Sequence, residues 1–282
     1  AIDRLNIPAA MVSDGPHGIR KQESLADHMG VAESIKAIGF PTASAMACSF
    51  DRDLLHKVGD ALGEECVAED LAVLLGPGIN MKRSPICGRN FEYYSEDPYV
   101  SGKIAAAMTK GVQKHRGKGT TIKHFAVNNQ EDNRYFVNAH VSERALREIY
   151  LKGFEIAVRE AQPLSIMTSY NLLNGIHTAN SHDLIQGMAR DEWGFKGVVM
   201  TDWFTSQDMP MITGKFKPAY PISASTGCIY AGNDIQMPGC QKNVDDIVEA
   251  VKTGKEIDGY KITKADLQFN AANVIRVVAR TM

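Results

Sequence analysis

The chain is poor in cysteine, and it has no apolar run long enough to cross a membrane. Its 282 residues include five cysteines, far apart and without a Cys-x-x-Cys pair. An odd number of scattered cysteines argues against a disulfide framework or a zinc site, and it predicts reduced thiols in a cytoplasmic protein. A membrane-spanning helix needs about 18 consecutive apolar residues, and the sequence has no such stretch.

The chain also lacks an excess of either charge. Lys and Arg number 31, and Asp and Glu number 33. This near balance argues against nucleic acid or an anionic membrane as a partner. Apolar residues make up 44% of the chain and charged residues 23%, as in ordinary globular proteins. The length suits one α/β barrel, which typically takes about 250 residues.

Several motifs of cofactor and metal sites are missing. Residues 117–120 read Gly-Lys-Gly-Thr, without the flanking residues of a phosphate-binding loop, and residues 76–78 read Gly-Pro-Gly without a third glycine at dinucleotide spacing. The eight histidines show no metal-binding spacing, and there is no Gly-x-Ser-x-Gly nucleophile motif. The sequence therefore predicts neither a cofactor nor a bound metal.

Short apolar runs of strand length alternate with longer runs of helical period. Most of these strands are apolar on both faces, which is typical of a parallel sheet covered by helices. Repeated β-α units of this kind form either an open doubly wound sheet or a barrel. The irregular stretch 205–225 is predicted to be a long loop. The predicted strands are residues 9–13, 71–75, 120–125, 164–169, 197–201 and 233–237.

Two of the predicted helices have recognisable starts. Ser142 is expected to cap a helix whose apolar face runs from residue 146 to residue 158. Thr263 and Asp266 form a capping box that opens the last helix. The spacing places Leu267, Ala271, Val274 and Val278 on one face of this helix.

Polar residues appear where the apolar strands stop. Asp14, the pair Lys123-His124, Tyr170 and Asp202 each lie at or near the end of a predicted strand. Active sites of α/β barrels form at the carboxyl ends of the strands. These side chains are therefore expected to converge on one pocket.

Taken singly, these residues allow two readings each. Asp202, followed by Trp203, suits a sugar site with a carboxylate nucleophile, but an Asp after a strand also caps helices, and the two readings weigh equally. Lys123 and His124 are neighbours that point to opposite faces of a regular strand. Both reach one ligand only if the strand ends or bulges there, so a structural ion pair and a core histidine are favoured.

Asp14 and Arg89 are equally open when each is taken alone. Asp14 lies in an Asp-Gly-Pro turn, and a turn-forming Asp is the favoured reading. The planar guanidinium of Arg89 suits vicinal hydroxyls or a carboxylate. A salt bridge to Glu92 or Glu96 is an equally ordinary use of it.

Together the segments resemble glycoside hydrolase family 3, because eight of them occur in that family's order and at roughly its spacing. The resemblance implies a TIM-like (β/α)8 barrel that occupies residues 1–282 as a single domain and is incomplete at its N-terminal end, since the helix that usually precedes the first strand is expected to be missing. The segments are 13–20 (Ser-Asp-Gly-Pro-His-Gly-Ile-Arg), 76–80, 88–98 (Gly-Arg-Asn-Phe-Glu-Tyr-Tyr-Ser-Glu-Asp-Pro), 122–126 (Ile-Lys-His-Phe-Ala), 167–171, 191–195, 199–203 (Val-Met-Thr-Asp-Trp) and 231–239.

The resemblance also implies roles for individual residues. Asp202 matches the nucleophile of a retaining, double-displacement β-glycosidase. Tyr170 matches an aromatic residue beside the nucleophile, and Trp203 matches one at the pocket entrance. The residues that match those holding the sugar hydroxyls are Asp14, Arg89, Lys123 and His124.

The resemblance further narrows the expected substrate to a β-glucoside or a short β-gluco-oligosaccharide. Residues 123–131 lack the Lys-His-Phe-Pro-Gly-His-Gly loop of the family's N-acetylglucosaminidases. Family xylosidases tend to carry Glu where this chain has Asp14, and the shorter Asp leaves room for a hexose C6 hydroxymethyl. The expected activity is therefore that of a β-glucosidase.

Family members of this type take the acid/base Glu from a second α/β sandwich domain, which the 282 residues do not include. The barrel alone is therefore expected to be weakly active, and a face left open by that domain would favour self-association. Two rival hypotheses remain: a Schiff-base barrel of aldolase or dehydratase type that uses Lys123, and a sugar-binding barrel without turnover.

Overall fold

A parallel sheet of six strands is the centre of the computed structural model, which describes residues 1–22, 33–209 and 220–282. All five pairings between neighbouring strands are parallel. In pairing order the strands are β1 (Val12–Asp14), β2 (Val73–Leu75), β3 (Gly119–Phe125), β5 (Ser165–Thr168), β8 (Val198–Trp203) and β9 (Ile235–Met237).

Helices follow most of the strands, and a small second sheet lies beside the first. That sheet contains β4 (Asn138–Ala139), β6 (Leu172–Leu173) and β7 (Ile176–His177). In the described residues no helix is both long and apolar enough to span a membrane. The helices are α1 (Ala43–Ala47), α2 (Arg52–Ala68), α3 (Pro98–Gln113), α4 (Glu143–Ala145), a π turn (Leu146–Tyr150), α5 (Lys152–Ala161), a π-helix (Asp183–Glu192), α6 (Ser225–Ala231), α7 (Gln241–Thr253) and α8 (Lys264–Thr281), with 3-10 turns at Asp3–Leu5 and Thr178–Asn180.

Each of the six predicted strands is present, and the strands pair in the order in which they occur along the chain. The central strands β2, β3 and β5 are buried along their whole length, as their apolar sequences indicate. An α/β fold around a curled parallel sheet is therefore confirmed. In the part of the chain that the structure describes, β1 and β9 are the edge strands. Closure into an eight-stranded barrel stays a prediction.

Helices α2 and α3 pack at very short distance because glycines face the partner backbone. A Cβ atom at Gly59 would collide with the carbonyl oxygen of Met108, and one at Gly111 would collide with that of His56. The close approach buries Leu62 and Met108 completely. Through α3, this helix pair packs against β3, one of the strands that carry the polar residues.

The last helix begins as predicted, and its predicted apolar face is only partly buried. Thr263 and Asp266 form the expected capping box. Leu267, Val274 and Val278 are half-buried and Ala271 is exposed, whereas the buried residues are Asn270, Asn273 and Val277. The apolar pattern did not indicate these buried residues, because α8 also docks through amide side chains that bond to buried partners. Of the predicted loop 205–225, the flanks 205–209 and 220–224 contain neither helix nor strand, and 210–219 lie outside the described residues.

A buried ion pair attaches α8 and the π-helix to the sheet. Asp234 accepts hydrogen bonds from the Arg190 guanidinium at 2.7 Å, the backbone N–H of Val199 at 2.7 Å and the Asn273 amide at 2.9 Å. Burial raises the pKa of Asp234 to about 6 against the attraction of Arg190. Burial likewise lowers the pKa of Arg190 despite Asp234. For both groups the loss of solvation therefore outweighs the attraction within the pair.

We predict that Asp234→Ala destabilises the fold strongly, because it leaves the Arg190 guanidinium, the N–H of Val199 and the amide of Asn273 buried without their shared acceptor. Breaking one side of a buried pair costs about 3–5 kcal/mol. The free energy of unfolding in urea, followed by circular dichroism, measures the loss. The control is Glu148→Gln, which breaks an exposed pair with Arg144 and should cost less than about 1 kcal/mol. Equal losses in the two variants would contradict the prediction.

Candidate active site

The ends of several parallel strands bring the predicted residues together. Asp14 is the last residue of β1, and Lys123 lies near the end of β3. The Lys123 Nζ donates to Asp14 Oδ1 at 2.7 Å, although 109 positions separate them. Asp202 lies near the end of β8, with its Oδ2 3.5 Å from His124 Nε2. The carboxyl edge of the sheet is therefore the candidate site.

An irregularity in β3 lets two neighbouring residues serve the same site. The pairing of β3 with β5 shifts register between Ile122 and Phe125. The peptides Lys123–His124 and Phe125–Ala126 are cis. Lys123 contacts Asp14, whereas His124 faces Asp202. A regular strand would turn these two side chains to opposite faces.

Lys123 is a buried cation held between two carboxylates. Its ammonium lies 2.7 Å from Asp14 Oδ1 and 3.1 Å from Glu92 Oε1, and the residue is 3% exposed. Burial alone would lower the pKa of Lys123, but the two carboxylates outweigh it and raise the pKa above the ordinary value. The ammonium therefore keeps its proton at neutral pH. Such a lysine is a donor and a positive charge, and it is a poor amine nucleophile.

Arg89 is anchored by the same carboxylate. Its Nε and Nη2 both approach Glu92 Oε2 at 2.6 Å. Burial raises the pKa of Glu92, but Lys123 and Arg89 reverse that effect and hold the pKa below the ordinary value. The pKa of Asp14 is lowered in the same way, against burial, chiefly by Lys123. The salt bridge read from the sequence is thus present, and it points Arg89 at the site, where its charge acts on Asp202.

Asp202 is the buried carboxylate at the centre of the site. Its side chain is 12% exposed. Burial raises the pKa of Asp202 above the ordinary value, and three cations, Arg89, Arg134 and Lys123, together with a hydrogen bond from Tyr170, offset part of that rise. The surrounding cations thus favour the ionised form of Asp202, against the cost of its burial.

His124 is a neutral side chain among these charges. It is 1% exposed, and its Nδ1 lies 3.0 Å from the hydroxyl of Tyr93. Burial, Arg89, Lys123 and Arg134 hold the pKa of His124 well below its ordinary value. At neutral pH the imidazole is therefore uncharged and can donate one hydrogen bond and accept one.

Arg134 and Tyr135 belong to the site but were not predicted from the sequence. The Arg134 guanidinium lies 4.7 Å from the ring centre of Tyr170, and the ring centres of Tyr135 and Tyr170 are 4.3 Å apart. A cation over an aromatic face is attracted by the ring. Arg134 also pairs with Glu131 at 3.0 Å. The sequence feature that could have indicated these two residues is the polar run 128–134. It comes soon after β3, at the edge of the sheet where the other site residues meet.

The predicted aromatic residues lie on either side of Asp202. Tyr170 is 4% exposed and follows β5. Trp203 ends β8 and is half-buried against an apolar cluster that includes Met167 and Met200. Among the described residues no group of three His, Cys, Asp or Glu side chains is placed to hold a metal ion.

Comparison with known proteins identifies relatives over nearly the whole chain. Residues 3–277 match the model of the "Glycosyl hydrolase family 3 N terminal domain". The chain is 47% identical over 255 residues to thermostable β-glucosidase B of Acetivibrio thermocellus, covering 90% of this chain and 32% of that protein. It is 44% identical over 281 residues to an exo-α-(1→6)-L-arabinopyranosidase of Bifidobacterium breve, covering 99% of this chain and 34% of that protein.

Solved structures give the same relationship. The structure of β-glucosidase 3B from Thermotoga neapolitana in complex with glucose superposes with a TM-score of 0.85 at 39% identity, covering 99% of this chain and 36% of that one. The chain thus spans about a third of the length of these relatives. Because the family model matches nearly every residue, the chain belongs to glycosyl hydrolase family 3 and corresponds to that family's N-terminal domain.

Proposed function

We propose that this chain carries the nucleophile of a retaining β-glycosidase, and that the nucleophile is Asp202. The observation that carries the proposal is the position of this carboxylate: it is buried at a strand end and surrounded by Arg89, Arg134 and Lys123. Family membership supports the same reaction class. In this reaction Asp202 attacks the anomeric carbon and forms a glycosyl–enzyme that water then hydrolyses.

The ion-paired residues would hold the sugar while Asp202 reacts. Lys123 and Arg89 present buried N–H donors, and Asp14, with a side chain 45% exposed, presents a carboxylate to hydroxyl groups. Because their ion pairs already fix these side chains, little conformational entropy is lost when the sugar binds. Tyr170 would hold Asp202 through its hydrogen bond, and Trp203 would border the entrance.

We infer that the proton donor for the leaving group is not one of the described carboxylates near Asp202. Asp14 and Glu92 have lowered pKa values because they pair with cations, so both are ionised at neutral pH. Glu131 is engaged by Arg134 and by Asn128. General acid catalysis is worth roughly 10²–10⁴ in rate. The acid/base Glu would come from a further α/β sandwich domain, and residues 1–282 alone would hydrolyse natural glycosides weakly.

Two substrates fit the family and the relatives. A terminal β-D-glucosyl residue is the first choice, since β-glucosidase is the name of most of the relatives. An α-L-arabinopyranosyl residue is the second, because two relatives that match 99% of this chain at 44% identity are named exo-α-(1→6)-L-arabinopyranosidases. The two sugars differ at C4, whose hydroxyl is equatorial in glucopyranose and axial in arabinopyranose, and at C5, where arabinopyranose lacks the hydroxymethyl group.

The two rival hypotheses differ in their support. A Schiff base on Lys123 is disfavoured, because two carboxylates keep that ammonium protonated. Sugar binding without turnover remains a distinct outcome for this chain. A covalent adduct on Asp202 separates binding from reaction.

The first prediction for this site is a covalent adduct with 2,4-dinitrophenyl 2-deoxy-2-fluoro-β-glucoside. Its leaving group departs without an acid, so Asp202 alone should react. Intact-protein mass should increase by one fluoroglucosyl group, and the Asp202→Ala variant should show no increase. A folded wild-type protein that stays unlabelled would count against the assignment, unless fusing the relatives' following domain restores labelling.

The second prediction concerns pH. Because burial raises the pKa of Asp202, the carboxylate is protonated, and unreactive, at a higher pH than an ordinary Asp of pKa about 4. The rate of adduct formation should therefore fall on acidification at a higher pH than an ordinary aspartate would give. His124 should add no ionisation near its ordinary pKa, since its pKa is held well below that value. A rate that falls only where an ordinary aspartate becomes protonated would contradict the raised pKa.

The third prediction tests the role of Asp14 in sugar selection. Asp14→Glu keeps the charge but extends the carboxylate by one methylene toward the expected C6 hydroxymethyl. One methylene more or less in a substrate pocket changes the ratio of the rates for two substrates by at least about tenfold. Adduct formation with the 2-fluoroglucoside should slow by at least that factor relative to the matching 2-fluoroxyloside. The control is Asp3→Glu at an exposed position, which should leave the ratio of the two rates unchanged.

A further inference from the structure

A chain of buried hydrogen bonds runs from the polar loop after β3 to the imidazole beside Asp202. The Asn128 amide Nδ2 donates to Glu131 Oε1 at 3.0 Å and to the hydroxyl of Tyr93 at 3.0 Å. The Tyr93 hydroxyl lies 3.0 Å from Nδ1 of His124. Tyr93 and Asn128 are each 1% exposed. Since both groups are buried, the Tyr93 hydroxyl and the two amide hydrogens of Asn128 make their hydrogen bonds within the chain, whereas Asn128 Oδ1 has no partner among the described residues.

The direction of each hydrogen bond follows from whether each group can donate or accept a hydrogen. The Glu131 carboxylate, paired with Arg134, only accepts, so the side of the Asn128 amide that faces it must be the NH₂ group. The other hydrogen of that NH₂ group points at Tyr93, whose oxygen therefore accepts. The tyrosine hydroxyl has one hydrogen left, and the group on its remaining side is Nδ1 of His124.

We propose that Tyr93 is a positioning residue, which donates its hydroxyl hydrogen to Nδ1 of His124 and thereby holds the imidazole in the tautomer that carries hydrogen on Nε2. The proposal rests on the sugar site described above. In that tautomer Nε2–H points into the pocket beside Asp202, 3.5 Å from its Oδ2. That distance is too long for a strong hydrogen bond, so Nε2–H stays available as a donor to a sugar hydroxyl.

The surrounding charges support a neutral imidazole. Arg89, Lys123 and Arg134 all act on His124 and disfavour a further positive charge, as does its burial. The opposing charge is Asp202, across from Nε2. A neutral histidine has two tautomers, and without a fixed partner at Nδ1 either nitrogen could carry the hydrogen. The alternative tautomer would present an acceptor to the pocket next to a carboxylate, and two acceptors repel.

The neighbouring tyrosine provides a matched control. Tyr94 is also almost completely buried, at 2% exposed, but its hydroxyl donates to the sulfur of Met108 at 2.8 Å, away from His124. Removing the Tyr94 hydroxyl therefore costs one buried hydrogen bond to a weak acceptor, whereas removing the Tyr93 hydroxyl takes away the partner of both Asn128 and His124. Only the loss at position 93 should change the state of the imidazole.

The test is ¹⁵N NMR of histidine-labelled protein at pH 7 without substrate, with the His124 signals assigned by their loss in His124→Gln. The wild type should show a single tautomer with hydrogen on Nε2. Tyr93→Phe should show a mixture or the opposite tautomer, whereas Tyr94→Phe should match the wild type. Hydrogen on Nδ1 in the wild type, or an unchanged spectrum in Tyr93→Phe, would overturn the proposal. The wild-type spectrum alone remains decisive if Tyr93→Phe does not fold.

Kinetics adds a second measurement. Losing one correctly directed hydrogen bond should slow adduct formation by the 2-fluoroglucoside about three- to tenfold in Tyr93→Phe, with Tyr94→Phe at the wild-type rate. Equal rates in the two variants would overturn the positioning role. The spectrum is recorded without substrate, so it tests the tautomer even if the wild type forms no adduct. An unreactive protein with the expected tautomer would count against the glycosidase proposal alone.

Discussion

The site depends on one buried ammonium. Lys123 lies under the carboxyl edge of the sheet, and the several kcal/mol needed to remove its charge from water are recovered only because Asp14 and Glu92 both contact it. Glu92 is in turn shared with Arg89. Strand β1, strand β3 and the loop after β2 are therefore joined through three side chains, and removing either carboxylate takes one of the two counter-ions away from the buried Lys123.

This arrangement gives the site its charge balance before any ligand arrives. Three cations, Lys123, Arg89 and Arg134, act on the single carboxylate of Asp202. The other carboxylates nearby neutralise the cations and hold them in position. The result is a buried carboxylate whose charge is partly balanced by its neighbours and which faces a neutral imidazole. Fixed charges of this kind need no rearrangement during reaction, which is how electrostatic stabilisation lowers a barrier most effectively.

The sheet could be predicted from the sequence because the property that defines a buried strand lies within the strand itself. A buried parallel strand must be apolar on both faces, and runs such as 71–75 and 164–169 have that property whatever lies around them. The exact strand ends were less accurate, since β2 begins at Val73 and β9 at Ile235. The buried residues of α8 were missed because Asn270 and Asn273 are buried as amides, and their partners are distant in sequence.

The candidate site could be predicted in part for a related reason. Polar residues at strand ends stand out in an apolar context, so Asp14, Lys123, His124 and Asp202 were identified from the sequence. The residues that hold them did not stand out. Glu92 and Tyr93 lie in a loop, and Arg134 lies in a run of polar residues. Their roles depend on which carboxylate or ring each one contacts in space, and no local pattern contains that information.

Asp234 gives the fold a response to acid that is opposite to that of the two carboxylates paired with Lys123. Its folded pKa of about 6 is above the ordinary 3.8. The stability that it contributes is therefore full below that ordinary value and is lost as the pH rises through 6. Asp14 and Glu92, with lowered pKa values, contribute stability at higher pH and lose it as the pH falls. Acidification therefore increases the stability that comes from Asp234 and decreases the stability that comes from the ion pairs of Lys123. The contributions of β9 and of β1 to the stability of the sheet thus depend on pH in opposite directions.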